Sequence, residues 1–169
     1  MASNQNNLNA QINLVLIYYS GKHISQDIKK AIHYLTLAAN QNHSYSQFFL
    51  GSLYFCGDYY LQDINKAIHY LTLSANQDNS EAQFLLGIIY GSKDKDFYDI
   101  NKSIHYCTLA ANQDSEEAQL YLGCCFLNGE HVPQNVNKSI YYLKLAAQKN
   151  LLYYYVCLDI FMIQDFFLS

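Results

Sequence analysis

The sequence repeats itself with a period of 36 residues, and this regularity limits the possible folds more than any other feature. The copies DIKKAIHYLTLAANQ, DINKAIHYLTLSANQ and DINKSIHYCTLAANQ begin at residues 27, 63 and 99, and the first two agree at 13 of 15 positions. A more divergent fourth copy, NVNKSIYYLKLAAQK, begins at residue 135. A constant period without insertions indicates one supersecondary unit that is repeated and stacked on its neighbours.

The second half of each unit has the pattern of an amphipathic helix. Its first residue carries a carboxylate or amide oxygen that can accept a hydrogen bond from an unpaired N–H of the first helical turn. These predicted N-caps are Asp27, Asp63, Asp99 and Asn135. In the first unit, Ala31, Leu35 and Ala38 follow at spacings of four and three, so that small and apolar side chains lie along one helical face.

The first half of each unit also predicts a helix. Ser44 with Gln47, and Ser80 with Gln83, have the spacing of capping boxes at its start. One internal position carries a glycine in three of the units, as Gly51, Gly87 and Gly123. Because an interior glycine destabilises a helix by about 1 kcal/mol relative to alanine, we expect these glycines to allow the close approach of two helices.

The composition supports a helical chain and argues against one class of partner. The sequence contains 1 proline and 7 glycines, too few for an all-β protein that turns every few residues. The 10 basic and 14 acidic residues give a formal net charge of -4, and no cluster of lysines could follow a phosphate backbone. We therefore expect no binding of nucleic acid.

Cysteine usage and the N-terminus predict a cytoplasmic protein. The cysteines are odd in number, have no C-x-x-C spacing and do not recur at one repeat position, which favours reduced thiols. They are Cys56, Cys107, Cys124, Cys125 and Cys157. The first residues, MASNQNNLNAQ, lack the charged and apolar regions of a secretory signal peptide, and residues 1–7 are predicted to be disordered. The nucleus is the alternative location.

The repeat unit resembles the Sel1-like repeat, a relative of the tetratricopeptide repeat. Its pattern is A-x-x-x-L-G-x-x-Y, then a loop, then D-x-x-K-A-x-x-Y-x-x-x-A-A. In the third unit this pattern falls on Ala82, Leu86, Gly87, Tyr90, Asp99, Lys102, Ser103, Tyr106, Ala110 and Ala111. The resemblance covers residues 8–150, and the period of 36 residues separates the chain from tetratricopeptide arrays, whose period is about 34.

This resemblance implies an all-α fold, a right-handed α-solenoid (α-α superhelix) of antiparallel helix pairs. Its repeats would cover residues 8–43, 44–79, 80–115 and 116–150, followed by a capping helix over residues 151–169. We interpret the first repeat as degenerate because Val15 replaces the glycine. A tyrosine stands where the family often has tryptophan, at Tyr34, Tyr70, Tyr106 and Tyr142.

No group of residues predicts catalysis, a cofactor or a metal. His33, His69 and His105 share one repeat position, but packed helices are about 10 Å apart and zinc ligands lie about 2.1 Å from one ion. We interpret them as an exposed surface row. The adjacent Cys124 and Cys125 point about 100° apart on a helix and cannot bind one ion together. Because no catalytic motif is present either, we expect a protein that is not an enzyme.

The resemblance also implies a surface for a protein partner. In such arrays the first helices line a concave groove, which is the usual binding surface. By this analogy the groove residues are Ile12, Leu16, Tyr19, Phe48, Ser52, Phe55, Phe84, Ile88, Leu120, Cys124, Leu127 and Asn128. Such an apolar groove suits an amphipathic helix or an extended apolar peptide. Phe48, Phe84 and Leu120 have an alternative role, which is burial against the adjacent repeat.

The predicted function is a non-catalytic scaffold or adaptor for protein–protein interaction. One alternative is the regulatory repeat region of a larger signalling protein, for example one with a kinase domain. Another is a secreted hydrolase of the same family, although the paired cysteines expected in every repeat of that branch are missing. The apolar tail over residues 151–169 is a candidate for self-association, but Asp159 and Asp165 make it a poor membrane span.

Overall fold

The structure is a computed structural model that describes residues 2–22, 24–57, 62–93, 96–129 and 132–149. Within these ranges the chain forms eight α-helices and no β-strand. The helices are α1 (Ala2–Ser20), α2 (Ile28–Asn40), α3 (Ser44–Cys56), α4 (Ile64–Ala75), α5 (Ser80–Gly91), α6 (Ile100–Asn112), α7 (Glu116–Asn128) and α8 (Val136–Lys149). The predicted all-α fold of helix pairs is confirmed, and the predicted capping helix over residues 151–169 lies outside the described residues.

Helix α1 begins earlier than the sequence predicted. It starts at Ala2 and continues to Ser20, so it includes nearly all of the segment 1–7 that we expected to be disordered. The segment is polar, but neither glycine nor proline occurs between residues 2 and 20 to interrupt the helix. An apolar run from residue 12 onward can therefore extend into a helix towards the N-terminus.

The chain forms two compact units, Met1–Leu85 and Leu86–Ser169, and the boundary between them falls within α5. In the first unit, α2 packs on both α1 and α3, and α3 packs on α4. In the second unit, α7 packs on both α6 and α8. These consecutive helices within each unit are thus neighbours in space, as expected for helix pairs joined by short loops.

The predicted N-caps of the second helices are confirmed. An oxygen of each cap accepts a hydrogen bond from the backbone N–H three residues later, at 3.0 Å in Asp27, 3.0 Å in Asp63, 3.1 Å in Asp99 and 3.0 Å in Asn135. This bond stabilises the charged carboxylate and lowers the pKa of Asp27 and of Asp63 below the ordinary aspartate value. Each cap fixes where the second helix of its repeat begins.

The predicted capping boxes are wrong by one residue. The cap of α3 is His43, whose Nδ1 accepts from the Ser46 N–H at 3.2 Å. Asn79 Oδ1 accepts from the Ala82 N–H at 2.7 Å at the start of α5, and Ser115 Oγ caps α7 in the same way. Ser44 and Ser80 are already the first residues of their helices.

The glutamines assigned to those boxes have another role, because they are buried in the core. Gln47 is 2% exposed and its Nε2 donates to the Ala39 carbonyl oxygen at 3.1 Å, near the end of the preceding helix. Gln83 and Gln119 make the equivalent bonds to Ala75 and Ala111 at 3.2 and 3.1 Å. The same carbonyl oxygens also accept the backbone N–H three residues later. The glutamine bonds are thus additional to the backbone bonds, and they join each repeat to the one before it.

The repeated glycines allow close helix packing, as predicted. A Cβ atom on Gly51 would lie 2.7 Å from Leu71 Cγ, and one on Gly123 would lie 2.6 Å from Leu143 Cγ. A Cβ atom on Gly87 would collide with Cys107 Sγ. In α1 the equivalent residue is Val15, which is 7% exposed and lies in the core cluster of the first unit. The first repeat is therefore packed differently at this point.

Candidate partner-binding surface

The residues that define the repeat pattern hold the two helices of each repeat together. An aromatic ring of the first helix stacks on the repeated tyrosine of the second, with centroids 5.9, 6.0, 5.9 and 6.1 Å apart and rings within 8° of parallel. The stacked pairs are Tyr18–Tyr34, Tyr54–Tyr70, Tyr90–Tyr106 and Phe126–Tyr142. The stacked tyrosines of the pattern thus contribute to the packing of their own repeat.

A lysine covers the other side of each stack. The Lys66 amine lies 5.2 Å from the Tyr54 ring centroid and 3.2 Å from the carboxylate of Asp63, the N-cap of the same helix. Lys30 and Lys102 make the same two contacts in their repeats. These three lysines are thus engaged with acidic and aromatic groups of their own repeat.

The first helices, in contrast, are almost free of charge. Neither α1 nor α3 contains an Asp, Glu, Lys or Arg residue. In α5 and α7 the acidic residues are confined to the first turn, at Glu81, Glu116 and Glu117. A partner that contacts α1 and α3 therefore meets no formal charge on these helices.

Most of the predicted groove residues are accessible on these helices. Leu16 is 62% exposed and Asn128 is exposed. The residues that are half-buried are Ile12, Tyr19, Phe48, Ser52, Phe55, Phe84, Ile88, Leu120 and Cys124. The half-buried state therefore leaves both predicted roles open for Phe48, Phe84 and Leu120, contact with a partner and burial against the adjacent repeat. Leu127 must be corrected, because it is 2% exposed and belongs to the core of the second unit, where it cannot contact a partner.

Two of the predicted residues line a pocket of about 120 Å³ in the first unit. Its lining consists of Ile12, Val15, Leu16, Leu35, His43, Tyr45, Ser46 and Phe49. The sequence missed Tyr45 and Phe49, although Tyr45 is 60% exposed. A large aromatic side chain in the first turn of α3 was the signal that could have identified Tyr45, since the equivalent residues in the next repeats are Glu81 and Glu117.

The histidine row lies on the surface, as interpreted from the sequence. His33, His69 and His105 are exposed, and each ring packs edge-on against the tyrosine that follows it. Over the described part of the chain, no group of three or more His, Cys, Asp or Glu side chains could hold a metal ion. The row thus adds to the aromatic cluster of each repeat.

The comparison with protein families identifies the repeat. The model of the Sel1 repeat matches the chain four times, over residues 8–43, 44–79, 80–115 and 116–151. The chain belongs to the Sel1 repeat family. Proteins built from Sel1 repeats generally act as protein-interaction scaffolds. No curated protein matches the sequence as a whole.

Solved structures of other Sel1 repeat proteins have the same fold. A Sel1 repeat protein from Oxalobacter formigenes is 28% identical, with a TM-score of 0.77 over 90% of this chain and 62% of its own. A protective antigen of uropathogenic Escherichia coli with this fold is also 28% identical, with a TM-score of 0.75 over 86% of this chain and 31% of its own. The present chain thus spans less than two thirds of the length of either relative.

The second unit of this Sel1 protein contains a partly buried hydroxyl pair that could be mistaken for a catalytic site. The Tyr121 hydroxyl lies 3.0 Å from Ser103 Oγ, which donates to the Gly87 carbonyl oxygen at 2.8 Å. Burial raises the pKa of Tyr121 to about 12, so the hydroxyl stays protonated near neutral pH. It fills space left by Gly91, which has no side chain. We therefore assign the pair to packing.

The cysteines of the described region are expected to differ in reactivity. Cys56 is exposed, whereas Cys107 is fully buried and burial raises the pKa of its thiol. Because the thiolate is the reactive form, iodoacetamide at pH 8 should modify Cys107 at least about tenfold more slowly than Cys56. Peptide-resolved mass spectrometry would measure both rates. Equal rates in the folded protein would contradict the packing of α6, and equal rates in denaturant are the control.

Among the described residues, none of the helices has the length and apolar character that crossing a membrane requires. The longest, α1, has 19 residues, and its first half is rich in asparagine and glutamine.

Proposed function

We propose that this Sel1 repeat protein is a non-catalytic scaffold or adaptor whose first helices bind an apolar segment of a protein partner. The observation that carries the proposal is the neutral, apolar surface of α1 and α3 in the first unit, where Leu16 and Tyr45 are exposed beside a pocket. Exposed apolar side chains gathered around a concavity are typical of binding surfaces.

The chemistry of this surface favours an amphipathic helix or an extended apolar peptide. Tyr45 packs edge-on against Phe48 with centroids 5.9 Å apart, and Tyr19 packs in the same way against Phe49 at 5.7 Å. Aromatic side chains held by such contacts lose little conformational freedom on binding, and they are enriched where partners make their strongest contacts. In the second unit, Leu120, Cys124 and Asn128 form the corresponding surface of α7.

A second proposal concerns the context in which the repeats work. The alternative is the regulatory repeat region of a larger signalling protein, and a partner-binding surface on the first helices would serve that role as well. Both roles require a partner on the first helices, and we place both in the cytoplasm or nucleus. We also propose that the apolar tail contributes to self-association.

A substitution at Leu16 tests the binding surface. Because Leu16 is 62% exposed, Leu16→Glu should leave the fold intact while placing a charge on the apolar surface. We expect recovery of the partner from native cell extract to fall at least about tenfold, which corresponds to about 1.4 kcal/mol. The readout is affinity purification with quantitative mass spectrometry.

The matched control is Asn65→Glu, which adds the same charge at an exposed position of the second helix α4. It should recover the partner as well as the natural protein does. Circular dichroism would show that both variants are folded. Equal recovery of every bound protein by Leu16→Glu and by the control would contradict a binding surface at α1.

A further inference from the structure

The pocket of the first unit lies where the first repeat departs from the other three. In those repeats a glycine faces the second helix, and a Cβ atom at Gly51 would also lie 3.1 Å from the backbone nitrogen of Leu71. Val15 occupies this position in α1, and Leu35 of α2 is the counterpart of Leu71. Val15 therefore places a side chain at a position that is empty in the other repeats, and it packs in one core cluster with Leu35. Both Val15 and Leu35 line the pocket.

The size of the pocket fits a single apolar side chain. Its volume is about 120 Å³, and carbon atoms supply nearly all of its lining. For comparison, an engineered apolar cavity of about 150 Å³ in another protein stays dry and binds benzene. The pocket is open to the surface beside Leu16 and Tyr45, which are 62% and 60% exposed. A side chain of a partner can therefore enter it.

Two polar side chains of the lining, His43 and Ser46, bond to each other. His43 Nδ1 lies 2.8 Å from Ser46 Oγ and accepts the Ser46 N–H at 3.2 Å. No Asp, Glu, Lys or Arg residue lines the pocket, and α1 and α3 contain none. A charged or amide side chain would lose its hydration there against a lining that is almost entirely carbon. The neutral lining therefore selects an uncharged, apolar side chain.

We propose that this pocket receives one leucine- to phenylalanine-sized side chain of the partner segment and thereby anchors it. The inference rests on the proposed function and makes it more specific, because it names one apolar anchor residue of the partner and the place where it inserts. The degenerate first repeat is then a specialised one, in which Val15 keeps the anchor pocket open.

Small side-chain analogues test the pocket without knowledge of the partner. N-acetyl-leucinamide, titrated into protein with ¹³C-labelled methyl groups, should shift the signals of Ile12, Val15 and Leu35 saturably, with a dissociation constant on the order of 10 mM. N-acetyl-asparaginamide should leave these signals unshifted. Absence of shifts with the leucine analogue, or equal shifts with both, would overturn the anchor pocket.

A variant tests the origin of the pocket. Val15→Gly gives the first repeat the glycine of the other three. We expect α1 to move closer to α2 and close the pocket, so that the methyl shifts of Leu35 with the leucine analogue disappear. The control is Ala67→Gly, which places a glycine at a buried position of α4 and should keep the shifts. Thermal unfolding would show that both variants are folded. Unchanged shifts in Val15→Gly would contradict the role of Val15.

These outcomes are separable from a failure of the proposed function. If the analogues do not bind but Leu16→Glu still loses the partner, the anchor pocket is wrong and binding at α1 stands. If the leucine analogue binds but Leu16→Glu recovers the partner fully, the proposed binding surface and the anchor both fail, because the pocket then serves no partner.

Discussion

Replacing Gly51 with valine should lower the free energy of unfolding by about 3 kcal/mol, because it forces a side chain into space that the next helix already fills. The Cβ atom alone would lie 2.7 Å from Leu71 Cγ and 3.1 Å from the Leu71 backbone nitrogen. Rotation of the leucine can relieve the first contact but not the second. The helix must therefore move, and the better helix propensity of valine recovers only a small part of the cost.

Urea unfolding followed by circular dichroism would measure this effect. Asn65→Val, at an exposed position of α4, is the matched control and should change the stability by no more than about 0.5 kcal/mol. If Gly51→Val also changes the free energy of unfolding by no more than about 0.5 kcal/mol, the close contact of α3 and α4 does not depend on the glycine.

Replacing Gln47 with leucine should cost about 2 to 4 kcal/mol, although leucine is apolar and similar in size. The Gln47 amide donates to the Ala39 carbonyl oxygen and accepts from Gln77 Nε2 at 2.7 Å. Its Nε2 also lies 3.2 Å from Asn42 Oδ1. Leucine would leave the Ala39 carbonyl without this partner in a site where Gln47 is 2% exposed, so water has little access.

The control for Gln47 is Gln62→Leu, an exposed glutamine just before α4. The same change of side chain there should alter the stability by less than about 0.5 kcal/mol. Denaturant unfolding would compare both variants. The free energy of unfolding must fall equally steeply with denaturant concentration in both, so that a shift of the midpoint reports a change of stability. Similar stabilities of the two variants would mean that the buried amide bonds do not join the repeats.

The sequence predicted those parts of the fold that depend on local chemistry. The cap at Asp63 and the glycine at Gly51 were recognised because a helix start needs an acceptor and a close approach needs a missing side chain. Each recurs at the same repeat position. The 36-residue period then placed both features in every unit, with exceptions such as Val15.

The errors arose where one residue can serve two purposes. The spacing of Ser44 and Gln47 matches a capping box, but His43 caps the helix and the glutamine turns inward to a carbonyl of the preceding helix. Leu127 lies on a first helix at a position that Phe55 and Gly91 occupy in other repeats, yet it is buried. Periodicity identifies a helical face, but it does not tell how far a neighbouring helix covers that face.

The pocket could not be predicted for a related reason. The sequence showed that Val15 replaces a glycine, and this was interpreted as degeneration. Whether a larger side chain fills a space or opens one depends on the positions of α2 and α3, which the sequence pattern does not define. Tyr45 and Phe49 contribute to the pocket only because α3 lies beside α1 at this distance.

The stacked aromatic rings of each repeat have a consequence for how such genes change in length. Tyr54, Tyr70, Lys66 and the cap Asp63 all lie within residues 44–79. The ring stack and the lysine contacts of this junction are therefore made inside one repeat. A duplication that copies 36 residues therefore copies a complete junction. A chain can gain or lose repeats in evolution without new residues having to adapt at that point.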